Sequence, residues 1–228
     1  MKYNFKKKGG AIEPTDIDVY IDEISKEFRA GFELLRKYPK TVTIFGSARL
    51  AGDNEYSLKA ERIGKRITSE LQYGVITGGG PGIMEAANKG ASEGSDDSLG
   101  FTITLPREQL SNPYVKNTLN FKYFFSRKAL LAFSAEAYIF FPGGFGTFDE
   151  FFSVLTLIQT GKIPSVPIIL VGTEFWTPVY DFMAEFMLQK NNVIDAEDLN
   201  LFVITDNEDE ILKTIKDAPI STWWDVMD

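Results

Sequence analysis

The run from Ala137 to Glu150 constrains this chain more than any other. It opens with Ala137-Tyr138-Ile139-Phe140-Phe141, a continuous apolar stretch that reads as a strand buried on both faces. Pro142-Gly143-Gly144-Phe145-Gly146 follows as a turn, and from Thr147 the spacing becomes helical and opens on two acids, Asp149 and Glu150. A strand, a glycine turn and a helix N-terminus aim backbone N–H groups and the positive end of the helix dipole at one spot, which makes an anion site. Glycines let a ligand approach the backbone closely. An acid just inside the helix reaches whatever is bound.

A second turn repeats the arrangement. Val75-Ile76-Thr77 is a short strand, Gly78-Gly79-Gly80-Pro81-Gly82 a turn and Ile83 onward a helix. Pro81 suits the first turn of that helix, where its missing N–H is not needed. From Thr41 the chain alternates in this way throughout. Strands are expected near 41–45, 73–77, 99–104, 121–125, 137–141, 166–171 and 201–204, and helices near 54–72, 82–93, 127–135, 147–160, 175–190 and 207–217. Such alternation makes an α/β fold: a doubly wound parallel sheet, Rossmann-like, in a single domain with an N-terminal helical extension. Residues 15–37 read as an amphipathic helix capped by Thr15 or Asp16, behind a basic arm. Trp223 and Trp224 belong to a tail whose rings dock on apolar surface. The division expected is an arm and helix over 1–40, the Rossmann-like domain over 41–217 and the tail over 218–228.

Ligands of such sheets sit at the carboxyl ends of the strands. Four of those ends carry polar or glycine-rich segments: Gly46-Ser47-Ala48-Arg49, Gly78 to Gly82, Ser126-Arg127-Lys128 and Pro142 to Thr147. Parallel strands bring all four to one side of the sheet. The dinucleotide fingerprint G-x-G-x-x-G is not completed, because Ile83 and Asp149 stand where its third glycine would be, and no G-x-x-x-x-G-K-[ST] occurs. A monophosphate therefore fits better than a dinucleotide or a triphosphate.

The chain contains no histidine and no cysteine. The commonest general base, the commonest metal ligand, disulfides and thiolate chemistry are all absent, so acid–base work falls to Asp, Glu, Lys or Tyr. A net charge of −8 argues against a nucleic-acid backbone as partner, but not against one small phosphate. No stretch approaches the ~20 apolar residues of a membrane span, and no signal pattern opens the chain. A cytoplasmic protein that keeps off the membrane is expected, with no metal and no cofactor called for.

The pair GGGPGIMEAANKGA (78–91) and PGGFGTFDE (142–150), with Ser126-Arg127-Lys128 before the second, resembles the LOG family. Its better-characterised members are cytokinin riboside 5'-monophosphate phosphoribohydrolases, and many relatives carry an old lysine-decarboxylase label. The family pattern Pro-Gly-Gly-x-Gly-Thr-x-x-Glu is matched at every fixed position. The similarity runs over residues 40–205, and residues 1–40 look like the extension of longer bacterial members. Asp149 stands where many relatives have Glu, at a position the motif leaves free.

The resemblance implies a nucleotide-binding domain that hydrolyses the N-glycosidic bond of a nucleoside 5'-monophosphate, AMP or an N6-modified adenine (cytokinin) nucleotide, to free base and ribose 5-phosphate. It further implies Arg127 and Glu150 as the catalytic pair, and a homodimer or higher homo-oligomer with helix 147–160 in the interface. Beside it, the residue reading gives the phosphate to Gly79, Gly80, Gly82, Gly143, Gly144 and Gly146, with Thr147 adding a hydroxyl and Ser47 joining from the first strand end. Lys128 is a solvated cation counted with this set. Glu85 is a first-turn acid or a ribose contact, Arg49 faces phosphate, base or solvent, and Met84 belongs to the core. Glu150 stabilises an oxocarbenium-like sugar, activates water, or does both. Arg127 orients Glu150, stabilises the departing base or contacts phosphate. The competing class is a non-catalytic binder, like a molybdenum-cofactor carrier or a nucleotide sensor, which would not require Arg127 with Glu150.

Overall fold

The computed structural model describes residues 14–104, 111–133, 135–221 and 223. Its strands are β1 (Thr41–Phe45), β2 (Gly74–Thr77), β3 (Ser98–Ile103), β4 (Asn117–Phe121), β5 (Ala135–Phe140), β6 (Ile168–Leu170) and β7 (Phe202–Ile204). They form one sheet in the order β4-β3-β2-β1-β5-β6-β7, with every neighbouring pair parallel. The helices are α1 (Pro14–Leu35), α2 (Glu55–Arg66), α3 (Ile83–Gly94), α4 (Phe124–Ala132), α5 (Phe145–Gln159), α6 (Thr173–Phe182) and α7 (Glu208–Asp217). Wider π-helical turns extend α2 over Ile67–Leu71 and α6 over Met183–Lys190.

The alternation of side chains along β5 shows how the two faces fill. Tyr138 and Phe140 meet Leu35, Leu130, Leu131, Phe151 and Trp176, so α1, α4, α5 and α6 cover that face. Ala137, Ile139 and Phe141 meet Ile63, Ala87 and Ile211, so α2, α3 and α7 cover the other. Every residue of β5 is buried, as a strand covered on both faces requires. Each large apolar side chain withdrawn in this way contributes about 1.5–3 kcal/mol.

β1 lies at the centre. The chain winds outward on one side through β2, β3 and β4, then crosses back to β5 and winds outward on the other. The place where the direction reverses is the crevice beyond the carboxyl ends of β1 and β5, the binding position of doubly wound sheets. The Phe141 N–H donates to the Phe45 carbonyl at 2.9 Å and the Ser47 N–H to the Pro142 carbonyl at 3.0 Å, so the two loops stay joined just past the sheet.

Several boundaries differ from the sequence reading, each for a physical reason. The fourth strand is Asn117–Phe121, paired with β3 from Leu99↔Asn117 to Ile103↔Phe121. Phe124 and Phe125 were read as strand because aromatic residues favour strands, but they start α4 and stay half-exposed. The first helix begins at Pro14, so Thr15 and Asp16 lie inside it rather than at its cap. Pro81 precedes α3 instead of entering its first turn, because Gly82 at φ 71° is the cap. α5 starts at Phe145, which moves Asp149 and Glu150 out of the first turn.

The tail docks as expected for Trp223, whose Nε1–H donates to the Ala135 carbonyl at 3.0 Å and whose ring packs on Phe133 at 4.8 Å. Trp224 and the basic arm before Pro14 lie outside the described residues. Sequence reasoning missed Glu136, a buried carboxylate on β5 that accepts from the Ser221 N–H and hydroxyl, both at 2.8 Å.

Glycines bring α2 and α3 close together behind the second turn. A Cβ on Gly90 would stand 1.8 Å from the Glu61 carbonyl oxygen. Gly90→Ala is expected to cost about 1–3 kcal/mol by overpacking, a fall of about 2–4 °C in melting temperature for each kcal/mol. An unchanged melting midpoint would contradict the close helix contact.

Candidate active site

A cavity of about 1120 Å³ opens at the reversal point between β1 and β5. Its wall comes from the loop after β1, from Gly78 and Met84 around the second turn, from Phe124 and Arg127 of α4, and from the continuous run Pro142 to Glu150. α6 closes it with Phe175 and Val179.

The two glycine turns contribute in different ways. Gly144, the cap of α5, has an ordinary φ of −94°, and no side chain caps the helix there. A Cβ built on Gly144 or on Gly146 would meet nothing within 4 Å. The fold itself therefore places no demand for glycine at these two positions, and a side chain there would only occupy the cavity. The uncapped first turn of α5 leaves its N–H groups to whatever fills that space. Gly143 has a packing role, since a Cβ there would lie 2.0 Å from the Thr147 hydroxyl oxygen. Thr147 is buried beneath it.

In the second turn Gly78 lines the cavity, whereas Gly79, Gly80 and Gly82 do not. The Gly79 N–H is used by Thr77 Oγ1 at 2.9 Å, and its carbonyl receives the Asn112 N–H at 2.9 Å. The Gly80 carbonyl receives Asn112 Nδ2 at 3.0 Å. Gly82 is pressed against the Ser47 carbonyl, 2.4 Å from where a Cβ would sit. These three glycines shape the turn, and Gly78 gives Arg127 room: a Cβ there would be 2.4 Å from Arg127 Nη2.

Arg127 reaches the cavity from α4 with its Nε–H bonded to the Phe101 carbonyl at 2.6 Å. No carboxylate among the described residues lies within 4.0 Å of its guanidinium. Burial pulls its pKa down and the charge of Glu150 pulls it back up. The guanidinium stays charged regardless, so it is a half-buried cation without an ion-pair partner. Glu150 is likewise half-buried. Burial pushes its carboxyl up to about 7, against the pull of Lys128 and Arg127 and with a further push from Asp149. A carboxylate that titrates near neutrality is suited to acid–base work. Its place in the second turn of α5 removes the plain explanation that it is a first-turn acid stabilising the helix dipole.

The other sequence candidates separate. Ser47 lines the cavity; its hydroxyl oxygen accepts the Arg49 N–H at 3.1 Å, and its carbonyl accepts the Ile83 N–H at 3.1 Å. Arg49 lines the cavity and is exposed. Lys128 is outside the wall and pairs with Asp149 at 2.5 Å. Glu85 is also outside the wall, in the first turn of α3. Met84, read as core, lines the cavity instead, with Sδ over Gly78. Among the wall residues missed are five aromatics, Tyr56, Phe124, Phe148, Phe175 and Phe145, the last 97% exposed at the rim. Phe145 fills the variable position of the glycine motif and was open to notice there.

Such a cavity at the reversal point of a doubly wound sheet, with a bared helix start, an unpaired arginine and a carboxyl poised near neutrality, defines a binding or catalytic site for a small anionic ligand. The model of the family described as possible lysine decarboxylase matches residues 84–215, more than half of the chain. The chain belongs to that family, the LOG family. It is 27% identical over 182 residues to a probable cytokinin riboside 5'-monophosphate phosphoribohydrolase of Oryza sativa subsp. japonica, covering 78% of this chain and 77% of the relative. It is 29% identical to the cytokinin riboside 5'-monophosphate phosphoribohydrolase of Rhodococcoides fascians, covering 65% and 76%. It is also 29% identical to a pyrimidine/purine nucleotide 5'-monophosphate nucleosidase of Escherichia coli, covering 66% of this chain but only 35% of that longer protein. The fold is shared with the molybdenum cofactor carrier protein of Chlamydomonas reinhardtii, at 19% identity and a TM-score of 0.55, covering 78% and 96%.

The raised carboxyl carries a stability consequence. Glu150 binds its proton more tightly in the folded chain than the ~4.3 of a free glutamate, so the wild type loses stability as pH rises from about 4.3 towards 7. Glu150→Gln is expected to melt higher than wild type at about pH 8, with the gain vanishing near pH 4. A gain equal at both pH values would contradict the assigned burial of the charge.

Proposed function

We propose that the chain is a nucleoside 5'-monophosphate phosphoribohydrolase, which hydrolyses the N-glycosidic bond to release free base and ribose 5-phosphate. The single observation that carries this reading is Glu150, a carboxyl raised to about 7 in the same cavity wall as the unpaired Arg127 and the bared start of α5. The phosphate sits on the first-turn N–H groups of α5, with Gly144 and Gly146 giving it close approach. Held there, the sugar presents its anomeric carbon to Glu150.

Cleavage of this bond passes through an oxocarbenium-like sugar. The ionised Glu150 stabilises that cation and accepts one proton of the attacking water as the C–N bond breaks, and that proton is passed on to the departing base, which leaves neutral. Arg127 balances the charge that develops on the departing base or on the phosphate. Binding energy gathered at the remote phosphate is thereby realised at the reacting bond. The decarboxylase label of the family description fits this site poorly. Pyridoxal-phosphate chemistry needs a lysine amine, and no lysine among the described residues lines the cavity.

We place the aromatic residues of the wall around the base, where ring faces stack on it and tolerate several bases. Substrates are nucleotides of the cell interior, and we place the enzyme in the cytoplasm. No helix among the described residues is long and apolar enough to cross a membrane. We also propose a homodimer or larger homo-oligomer with α5 in the interface, because Phe145 and Phe152 stand exposed on α5, as do Phe124 and Phe125 on α4.

Glu150→Gln is expected to lower turnover of AMP by about 10²–10⁴-fold while AMP binding, followed by calorimetry, persists. Retained turnover would overturn the role given to Glu150. Base release from no nucleotide, with tight binding by the wild type, would favour the carrier class instead.

A companion expectation concerns pH. Glu150 acts ionised, so kcat/KM rises with pH through about 7. Lys128→Ala removes a cation that holds this pKa down and moves the inflection upward. An inflection that stays in place would contradict the assignment of the rate to Glu150.

A further inference from the structure

α1 precedes the first strand and packs on one face of the sheet, and its acids grip the start of the helix that carries Arg127. α4 begins after Tyr123, with no side-chain cap of its own and no acid in its first turn. Glu27 of α1 brings an acid to that start. One carboxylate oxygen accepts the Lys122 N–H at 2.6 Å, and the other accepts the hydroxyl of Ser126, which is fully buried. One turn earlier on α1, Glu23 accepts from Lys122 Nζ and from the Tyr123 hydroxyl, both at 2.6 Å. Lys122, Tyr123 and Ser126 are the residues leading into Arg127, whose own N–H makes one of the first bonds of α4, to the Tyr123 carbonyl at 3.3 Å.

The two helices are in close contact as well. A Cβ on Gly31 of α1 would stand 2.2 Å from Leu130 Cδ1 of α4. Tyr20 meets Tyr123 edge-on at 5.0 Å, and Phe32 meets Phe133 edge-on at 4.8 Å. Negative charge at a helix N-terminus is favourable and fixes its first turn, and here a separate helix supplies it.

We propose that α1 is a brace for the active site, with Glu27 as a positioning residue that sets α4 and thereby holds Arg127 over Gly78. The inference rests on the phosphoribohydrolase reading for its effect on rate. Glu27 touches no reacting atom. Its contribution is the placement of a guanidinium that, among the described residues, is held by a hydrogen bond from Nε to the Phe101 carbonyl. A shift of about 1 Å in a positioned group costs about 10²-fold in rate.

The test compares Glu27→Ala, Glu27→Gln and, as a control for stability loss far from the site, Ser221→Ala, all in the full chain. AMP turnover, thermal melting and amide hydrogen exchange across α4 are measured on each. Glu27→Ala is expected to lower kcat by about 10–100-fold with KM little changed, and to speed exchange in the first turn of α4. Glu27→Gln, which keeps an acceptor oxygen without the charge, falls between. Ser221→Ala lowers the melting temperature and leaves kcat unchanged.

An unchanged kcat in Glu27→Ala, an equal loss of kcat in Ser221→Ala, or unchanged exchange in α4 would each overturn the brace. A wild type that releases no base defeats the phosphoribohydrolase reading instead. In that event the AMP affinity of Glu27→Ala and its α4 exchange decide: weakened binding with faster exchange sustains the brace, and both unchanged overturn it.

Discussion

The hydrogen bond from the Ser47 N–H to the Pro142 carbonyl, where β1 and β5 diverge, holds the cavity together. Ser47 also receives the Ile83 N–H on its carbonyl, and Gly82 packs directly against that oxygen. One residue thus joins the loops after β1, β2 and β5. The sheet makes this junction possible. β1 is the central strand, and the chain leaves it in one direction and returns to it in the other, so neighbouring loops are free of a crossover helix only here. The buried aromatic cluster of Phe140, Phe151 and Trp176 fixes the strand and helix on either side of the Pro142 to Gly146 turn.

Around this junction the helix starts divide into two kinds. α2 is capped by Asn54, and the glycine turn before α6 is closed by Asp206, which takes the Gly172 and Thr173 N–H groups at 3.0 and 2.8 Å. That third glycine turn spends its donors within the protein. α3 and α5 have no side-chain cap, and the start of α5 faces the cavity through two glycines that no described residue crowds. Arg127 and Glu150 are withdrawn from water without being paired to one another within ion-pair distance. Holding two such charges half-buried opposes folding, and a bound anion relieves the share that belongs to Arg127. The site is therefore a place where the chain forgoes local stability for function.

Much of this was legible in the sequence. The continuous apolar runs gave the parallel sheet, because a strand covered on both faces has no polar alternation to show. The Pro142 to Glu150 motif pointed to the cavity because strand, glycine turn and helix follow one another without interruption. The start of α4 was harder to read: Phe121, Tyr123, Phe124 and Phe125 form an aromatic run whose strand preference hides the turn between β4 and the helix. The difference between Gly78 and its neighbours was invisible, since it depends on Asn112 and Ser47 approaching from elsewhere in the chain. Glu27 gave no signal for the same reason. It lies 99 residues from Ser126 in sequence and reads only as a polar position on an amphipathic helix. Glu136 was equally silent, its burial being set by a tail that returns from residue 221.

The central claim is that water adds to the anomeric carbon of a nucleoside monophosphate held between the start of α5 and Glu150. Turnover of AMP in water enriched in heavy oxygen, with the products separated and weighed by mass spectrometry, tests it most directly. The account predicts free adenine and ribose 5-phosphate bearing the label in its sugar hydroxyl, with none in inorganic phosphate. Label recovered in inorganic phosphate would mean that water attacks phosphorus instead, and would contradict it.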